Sequence, residues 1–412
     1  MRPHEHDPPK KVIMACYGGG HVQSLIPVAK ALSARPEIDL LVVGFTTARA
    51  SFQRAGIPAE SYCYFLDDIE HKWLKLARRH APASRHADIT EDENLAYHAI
   101  GLQDLAAEEG QEAALAKFER FGRKCFLPTR TFDRFLNNSR PDLVITSSSP
   151  RSELAMIRSA RQLGIETLVI SDLFLQAEAK YVCATDYAAN VSVLSDYVRD
   201  FLFSKGCQSH IWVTGNPAFD PLVDAASEDL RLKRRHELGL LDTQSLVMWV
   251  CPSAAVSILG RPFADPSAIL NMLKDLTEQT PGTQIMVRQH PNERVLKTDK
   301  IGPAFEPPAN WKIEDCLAAC DSVLVETSTV GLQAALLGKP VVTIKADGYP
   351  PYATLGLATD VLDVNAALPV LQNPTKPDLA RLGAPSLGSA TARVLRVIET
   401  LLVQRQSAGT VQ

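Results

Sequence analysis

With 412 residues, 46% of them hydrophobic and 22% charged, the chain is too long for one ordinary hydrophobic core and long enough for two. A formal net charge of -4 gives no reason to expect nucleic acid as the main partner, which would show as a clearly basic domain. The first ten residues are polar and proline-rich without the apolar core of a signal peptide, and no run reaches the roughly 18 apolar residues of a spanning helix. A cytoplasmic protein is expected, with a peripheral contact at the inner face of the membrane left open.

Apolar strand-like runs alternate with helical patterns almost from end to end, the signature of parallel sheets covered by helices. The first run, Lys11-Val-Ile-Met-Ala-Cys16, feeds Tyr17-Gly-Gly-Gly-His21 and a predicted helix from about residue 25 to 32. Glycines let the backbone approach a ligand closely, and this loop delivers Gly19, Gly20 and His21 to the carboxyl end of the sheet, where open α/β sheets bind ligands. A neutral imidazole there can take a proton from an acceptor hydroxyl; a tight strand-to-helix turn with a capping histidine is the plainer alternative.

Residues 71–86 carry Lys72, Lys75, Arg78, Arg79 and Arg85 with no acid, interleaved with Trp73, Leu74 and Leu76, and acids follow at 88–93. A basic amphipathic helix ending before Pro82 either lies on anionic lipid headgroups or is solvated and paired with those acids. Further strands are predicted at 39–43, 142–146, 167–170 and 211–214. Gly215-Asn-Pro-Ala-Phe-Asp-Pro221 and a charged helix at 228–238 then mark a boundary. Domains are predicted at 1–218 and 219–388, with a tail at 389–412 whose amphipathic helix packs back on the first domain.

Strands restart at 245–250, 284–288, 322–325 and 341–344, so the halves look like two copies of one architecture. Ser253 and Ser257 follow the first of these strands. In Arg288-Gln-His-Pro-Asn292, Pro291 ends the second strand, and Arg288 and His290 can donate to phosphate oxygens or serve a salt bridge or capped turn. The third strand breaks at Glu326-Thr-Ser-Thr329 before a helix at 330–337 and Gly338. Free backbone N–H groups and the hydroxyls of Thr327, Ser328 and Thr329 make that helix start an anion site, although plain capping uses the same donors. Gln333 lies one turn in, roughly where a side chain reaches a ribose. Cys316 and Cys320 share one helix face and read as buried thiols. No His-Glu-x-x-His, Gly-x-Ser-x-Gly or P-loop motif occurs, so metal and nucleophilic-serine chemistry lack positive support.

In this order, these residues resemble the GT-B superfamily of nucleotide-sugar enzymes over nearly the whole chain. Gly18-Gly-Gly-His-Val-Gln-Ser-Leu-Ile-Pro27 is similar to the Gly-His-x-x-Pro start of UDP-sugar glycosyltransferases, with the proline two residues later. Val213-Thr-Gly-Asn216 and the stretch from Glu326 to Pro340 resemble segments of the non-hydrolysing UDP-N-acetylglucosamine 2-epimerases. His290-Pro291, Thr327-Ser-Thr-Val-Gly331 and Tyr349-Pro-Pro-Tyr-Ala-Thr-Leu-Gly-Leu357 resemble capsule polysaccharide transferases that use CMP-linked acidic sugars.

The resemblance implies two Rossmann-like domains facing a central cleft. It implies a glycosyltransferase of the hexosyltransferase type, acting in cell-surface glycan or glycolipid synthesis with a UDP-sugar donor, or a CMP-sugar, and a hydroxyl acceptor that can be lipid-linked. His21 becomes the catalytic base, and Gly19, Gly20, Asn216, Ser253, Arg288, His290, Glu326, Thr327, Ser328, Thr329 and Gln333 the donor-binding set. No metal and no cofactor beyond the nucleotide-sugar co-substrate are expected. Gln333 departs from the superfamily's usual ribose-binding glutamate. The rivals are a 2-epimerase-like enzyme, which would need acids around the sugar, and a non-catalytic nucleotide-sugar binding subunit.

Overall fold

Each half of the alternating pattern closes into an all-parallel sheet. The computed structural model describes residues 8–84, 86–252, 262–289, 304–344 and 348–409. In the first unit, β1 (Lys10–Cys16), β2 (Ile38–Gly44), β3 (Leu143–Thr146), β4 (Glu166–Ile170), β5 (Asn190–Val193) and β6 (His210–Val213) pair in the order β2-β1-β3-β4-β5-β6. In the second, β7 (Ser245–Val250), β8 (Thr283–Arg288), β9 (Ser322–Val325), β10 (Val341–Ile344) and β11 (Thr359–Val361) pair in the order β11-β10-β9-β7-β8.

Helices cover both faces, which is why Val12 to Cys16 can be apolar at every position and still be buried at every position. The Gly20–Ser33 helix buries Val22, Leu25, Val28, Ala29 and Leu32, the stripe a 3.6-residue period turns to one side. Val394, Val397, Ile398 and Leu401 of the terminal Ala390–Gly409 helix enter the same core. The Asp220 carboxylate caps that helix across the sequence, accepting from the backbone N–H groups of Ala390 at 2.7 Å and Thr391 at 2.9 Å. The first unit therefore comprises residues 1–220 with 384–412, and the second 221–383.

Strand order fixes where loops part. In the first sheet the chain moves from β1 outward to β2 and then crosses back to β3, so the loops after β1 and β3 leave the carboxyl edge on opposite faces. In the second, β7 leads outward to β8 and back to β9, opening the same kind of crevice between β7 and β9. Such reversal points are where open α/β sheets receive ligands.

Two strands, β5 and β11, escape the sequence reading because each is short and carries polar residues, Asn190 and Ser192 in one and Thr359 and Asp360 in the other. The basic helix is there, at His71–His80, but the two expectations for it need revision. Trp73 and Ala77 are buried against the Glu91–Glu109 helix, so the indole faces protein and cannot rest on lipid. Nor do the acids that follow neutralise its cations: Asp88 pairs with Arg54 at 3.0 Å, while Lys72 pairs with Glu70 at 2.8 Å. Lys75, Arg78 and Arg79 stay exposed.

Candidate functional site

Three consecutive glycines open the Gly20–Ser33 helix, and each is there for a different reason. A Cβ on Gly18 would sit 1.5 Å from Thr47 Oγ1, a clash, because the loop leans on the start of the neighbouring helix. Gly19 has φ +72°, a left-handed conformation that side chains resist. A Cβ on Gly20 would lie 3.3 Å from Asp172 Oδ2, so its absence leaves room for that carboxylate. The helix start has no side-chain cap and no acid in its first turn, which leaves its N–H groups open.

His21 Nδ1 lies 3.6 Å from Asp172 Oδ2, just beyond hydrogen-bond length. The nitrogen is buried and otherwise unpaired, so the aspartate is placed to tighten onto it when the ring gains a proton. Asp172 is positioned through its own backbone, whose carbonyl accepts from Asn216 Nδ2 at 2.7 Å. The Asn216 Oδ1 in turn accepts from Ser24 Oγ at 2.9 Å and from the Ala218 N–H at 2.8 Å. Asn216, expected to touch the donor, ties the loop after β6 to the histidine helix and to Asp172 with both ends of its amide.

Beneath this pair lies Glu153, fully buried in the Ser152–Gln162 helix that follows β3. Its Oε1 accepts from the backbone N–H groups of Tyr17 and Ser147, each at 3.2 Å, and from the Ser147 hydroxyl at 2.6 Å. One carboxylate oxygen thus staples together the two loops that diverge at the β1/β3 reversal. Burial raises the Glu153 pKa, while the nearby His21 charge and the Ser147 bond pull it back. Glu178 stands close enough for His21 and Asp172 to affect its own ionisation, again raised chiefly by burial.

The second unit presents a different chemistry. β9 ends at Val325, and Ser328 caps the Thr329–Leu336 helix, its hydroxyl accepting from the Val330 N–H at 3.3 Å. Tyr352 backs this turn: its hydroxyl donates to the Ser328 carbonyl at 3.0 Å. A Cβ on Gly331 would meet its ring at 3.0 Å, so the helix packs on the tyrosine at glycine distance. Thr327, Ser328 and Thr329 are half-buried, as is Gln333 one turn along the same face. Glu326 is buried, and its Oε1 accepts from the Ala264 N–H. It thereby ties the backbone of Ala264 to the end of β9.

Arg288 ends β8. Its guanidinium donates to the Trp311 carbonyl at 3.3 Å and reaches the Cys316 sulfur at 3.8 Å, and among the described residues it pairs with no carboxylate. The Arg288 charge opposes the burial that lifts the Cys316 thiol to about 11. All eight cysteines are unpaired thiols. Ser253, Ser257 and His290 lie outside the described residues. Among the described residues no group of three or more His, Cys, Asp and Glu side chains is placed to hold a metal, and no helix is long and apolar enough to cross a membrane.

The structure therefore brings Gly19, Gly20 and His21 to one reversal point and Glu326, Thr327, Ser328 and Thr329 to the other. Glu153 and Asp172 were missed by sequence reasoning. Their signal was available: each follows a predicted strand, at 142–146 and 167–170, on the same carboxyl edge as His21.

Comparison with known proteins fits this architecture. A family model described as "Capsule polysaccharide biosynthesis protein" matches residues 254–383, within the second unit. Lipid-A-disaccharide synthase of Geobacter metallireducens is 23% identical over 221 residues, which is 52% of this chain and 55% of that enzyme. The chain thus matches about half the length of that relative. Among solved structures, UDP-GlcNAc 2-epimerase from Methanocaldococcus jannaschii superposes with a TM-score of 0.57 at 13% identity, covering 95% of this chain and 99% of that one. The UDP-GlcNAc 2-epimerase of Neisseria meningitidis, bound to UDP-GlcNAc, gives 0.57 at 13% identity, with 95% and 100% covered. MurG of Acinetobacter baumannii gives 0.55 at 14% identity, with 95% and 100% covered. At such identities the likeness shows the fold, and the fold is GT-B, the one its motifs resemble.

Proposed function

We propose that this protein is a glycosyltransferase that moves a sugar from a nucleotide-sugar donor to a hydroxyl acceptor, in the synthesis of a cell-surface glycan. The observation that carries the reading is the division of chemistry between the two reversal points. The first offers a histidine with a carboxylate 3.6 Å behind it, a base and its electrostatic partner. The second offers a helix start, three hydroxyl side chains and an arginine at the end of β8, the equipment for a phosphate group.

In this mechanism the second unit holds the donor. The Thr327 to Thr329 turn and Arg288 meet the phosphates, with Ser253 and His290 assigned beside them from sequence, and Gln333 bonds the ribose. Their fixed dipoles and charge stabilise the departing nucleotide, with no need for a metal ion or other cofactor. His21 removes the acceptor's hydroxyl proton, and Asp172 stabilises the imidazolium that results. Gly19 and Gly20 keep the loop thin enough for substrate to approach. UDP-linked sugars are the first choice of donor, following the relatives, and CMP-linked sugars the second. The exposed Lys75, Arg78 and Arg79 would hold the protein at anionic lipid if the acceptor is lipid-linked.

A specific observation supports a second reading. Acids of the kind a 2-epimerase would need stand around His21 as Glu153, Asp172 and Glu178. Incubating the protein with UDP-N-acetylglucosamine and no acceptor separates the two. A transferase returns the donor unchanged or slowly hydrolysed, whereas the appearance of the C2 epimer in that control would overturn the transferase assignment.

A further inference from the structure

Beside the histidine loop the first unit encloses a cavity of about 510 Å³, a size usual for small-molecule sites. Glu93, Tyr97 and Tyr62 form its buried depth, Thr46 a half-buried wall, and Ser84 and Arg123 its exposed mouth. Glu93 distinguishes it from a packing gap. The residue is 1% exposed, yet neither carboxyl oxygen makes a well-formed hydrogen bond, and the Tyr97 hydroxyl is also buried without one. Burial pushes the Glu93 pKa up to about 7, against the pull of the Arg49 charge and the Thr46 N–H. Buried polar atoms are almost always matched, and with only the Thr46 N–H close to it the Glu93 carboxyl keeps room for further donors.

Two contacts join the cavity to the catalytic loop. The Tyr62 hydroxyl donates to the Tyr17 hydroxyl at 2.8 Å, and Tyr17 leads directly into Gly18 and His21. Thr46 is followed by Thr47, the residue against which Gly18 is packed. A molecule in the cavity therefore lies one residue's width from the loop that carries the base. Its chemistry is constrained by the lining. A carboxyl group with room for more bonds calls for hydroxyl donors, while Arg123 at the mouth disfavours a cation.

The geometry points to this cavity as the acceptor site, taking a neutral sugar or sugar-like polyol whose hydroxyls donate to Glu93 and to the Tyr97 oxygen. This assignment rests on the transferase reading for the word acceptor and on the cavity alone for the ligand. The test is saturation-transfer NMR on the full chain with a panel of neutral methyl glycosides: a hexose, a 6-deoxyhexose and an N-acetylhexosamine. At least one should bind the wild type. Glu93→Gln removes the carboxylate, and Ser84→Trp fills the mouth from an exposed position that threatens no core. Each should weaken that glycoside about tenfold or more while leaving UDP affinity unchanged. The proposal is overturned if no glycoside binds, or if both variants bind as tightly as the wild type. Glycoside binding that depends on Glu93 in a protein without transfer activity would sustain the cavity assignment and count against the transferase instead.

Discussion

The two sheets share a topology, yet their ligand edges are built from different materials. At the first, side chains do the work: His21, Glu153 and Asp172 come from the segments that follow β1, β3 and β4, and hydrogen bonds hold Glu153 and the Asp172 backbone. At the second, the backbone does: a strand stops, a helix starts, and hydroxyl residues decorate a turn propped by Tyr352. The contrast teaches that one architecture can be specialised by what is placed at its reversal points. A proton-transfer site needs a defined donor and acceptor at defined distances, whereas a phosphate site needs only convergent N–H groups and positive charge.

Breaking the first edge at its centre should have the largest effect. His21→Ala is expected to lower turnover by about 10²- to 10⁴-fold, the usual contribution of a general base, with the melting temperature nearly unchanged because the ring is partly exposed. A lower melting temperature with near-normal turnover per folded molecule would return His21 to the capping role.

Distorting that edge without touching its chemistry should cost less. Gly18→Ala forces a Cβ to within 1.5 Å of Thr47 Oγ1, and overpacking of this kind typically costs about 1 to 3 kcal/mol. Gly19→Ala meets no atom but must hold φ +72°, for about 1 to 2 kcal/mol. Chemical denaturation of both variants measures these values. Wild-type stability in Gly18→Ala would mean that the loop does not lean on Thr47.

Glu93 gives the comparison a pH axis. Its pKa is raised from 4.5 to about 7 in the folded state, so the unfolded chain loses the proton first and stability falls as pH rises through that window. Arg123 and His86 line the same cavity, Arg49 acts on Glu93 by its charge, and all three are left in place by the test. Glu93→Gln should therefore match the wild type near pH 4 and melt at a higher temperature than the wild type at pH 8. A difference that does not grow between those values would show that Glu93 is not held neutral by burial.

The smallest effect should come from the surface. Lys75, Arg78 and Arg79 are exposed while Trp73 is not, so any attraction to anionic vesicles is electrostatic, weak, and lost as salt screens it. Vesicle sedimentation of the triple Ala variant measures it, and identical sedimentation of wild type and variant would leave the helix simply solvated.

Much of this was legible before the fold. Strand and helix alternation gave both sheets, and Gly338, Pro340 and the hydroxyl run placed the second edge to within a residue, because backbone sites are written in local sequence. The first edge was legible only at His21, where three glycines announce a loop. Glu153 and Asp172 come from loops with no glycine or motif, and only the order β2-β1-β3-β4 brings them to the histidine. Nor does local sequence show what Asn216 and Glu326 hold: the first bonds the Asp172 carbonyl and the Ser24 hydroxyl, the second the Ala264 N–H. Most of the Glu93 cavity is lined from residues 82–97, but only the fold adds Thr46, Tyr62 and Arg123 to it.

The division of labour between the edges is tested most directly by titrating UDP into two variants side by side, followed by calorimetry. Arg288→Ala removes a charge-assisted contact worth about 1.5 to 3 kcal/mol and should weaken UDP about tenfold or more, while His21→Ala should bind UDP as the wild type does. Unchanged affinity in Arg288→Ala, or weakened affinity in His21→Ala alone, would contradict the account by placing the nucleotide at the wrong sheet.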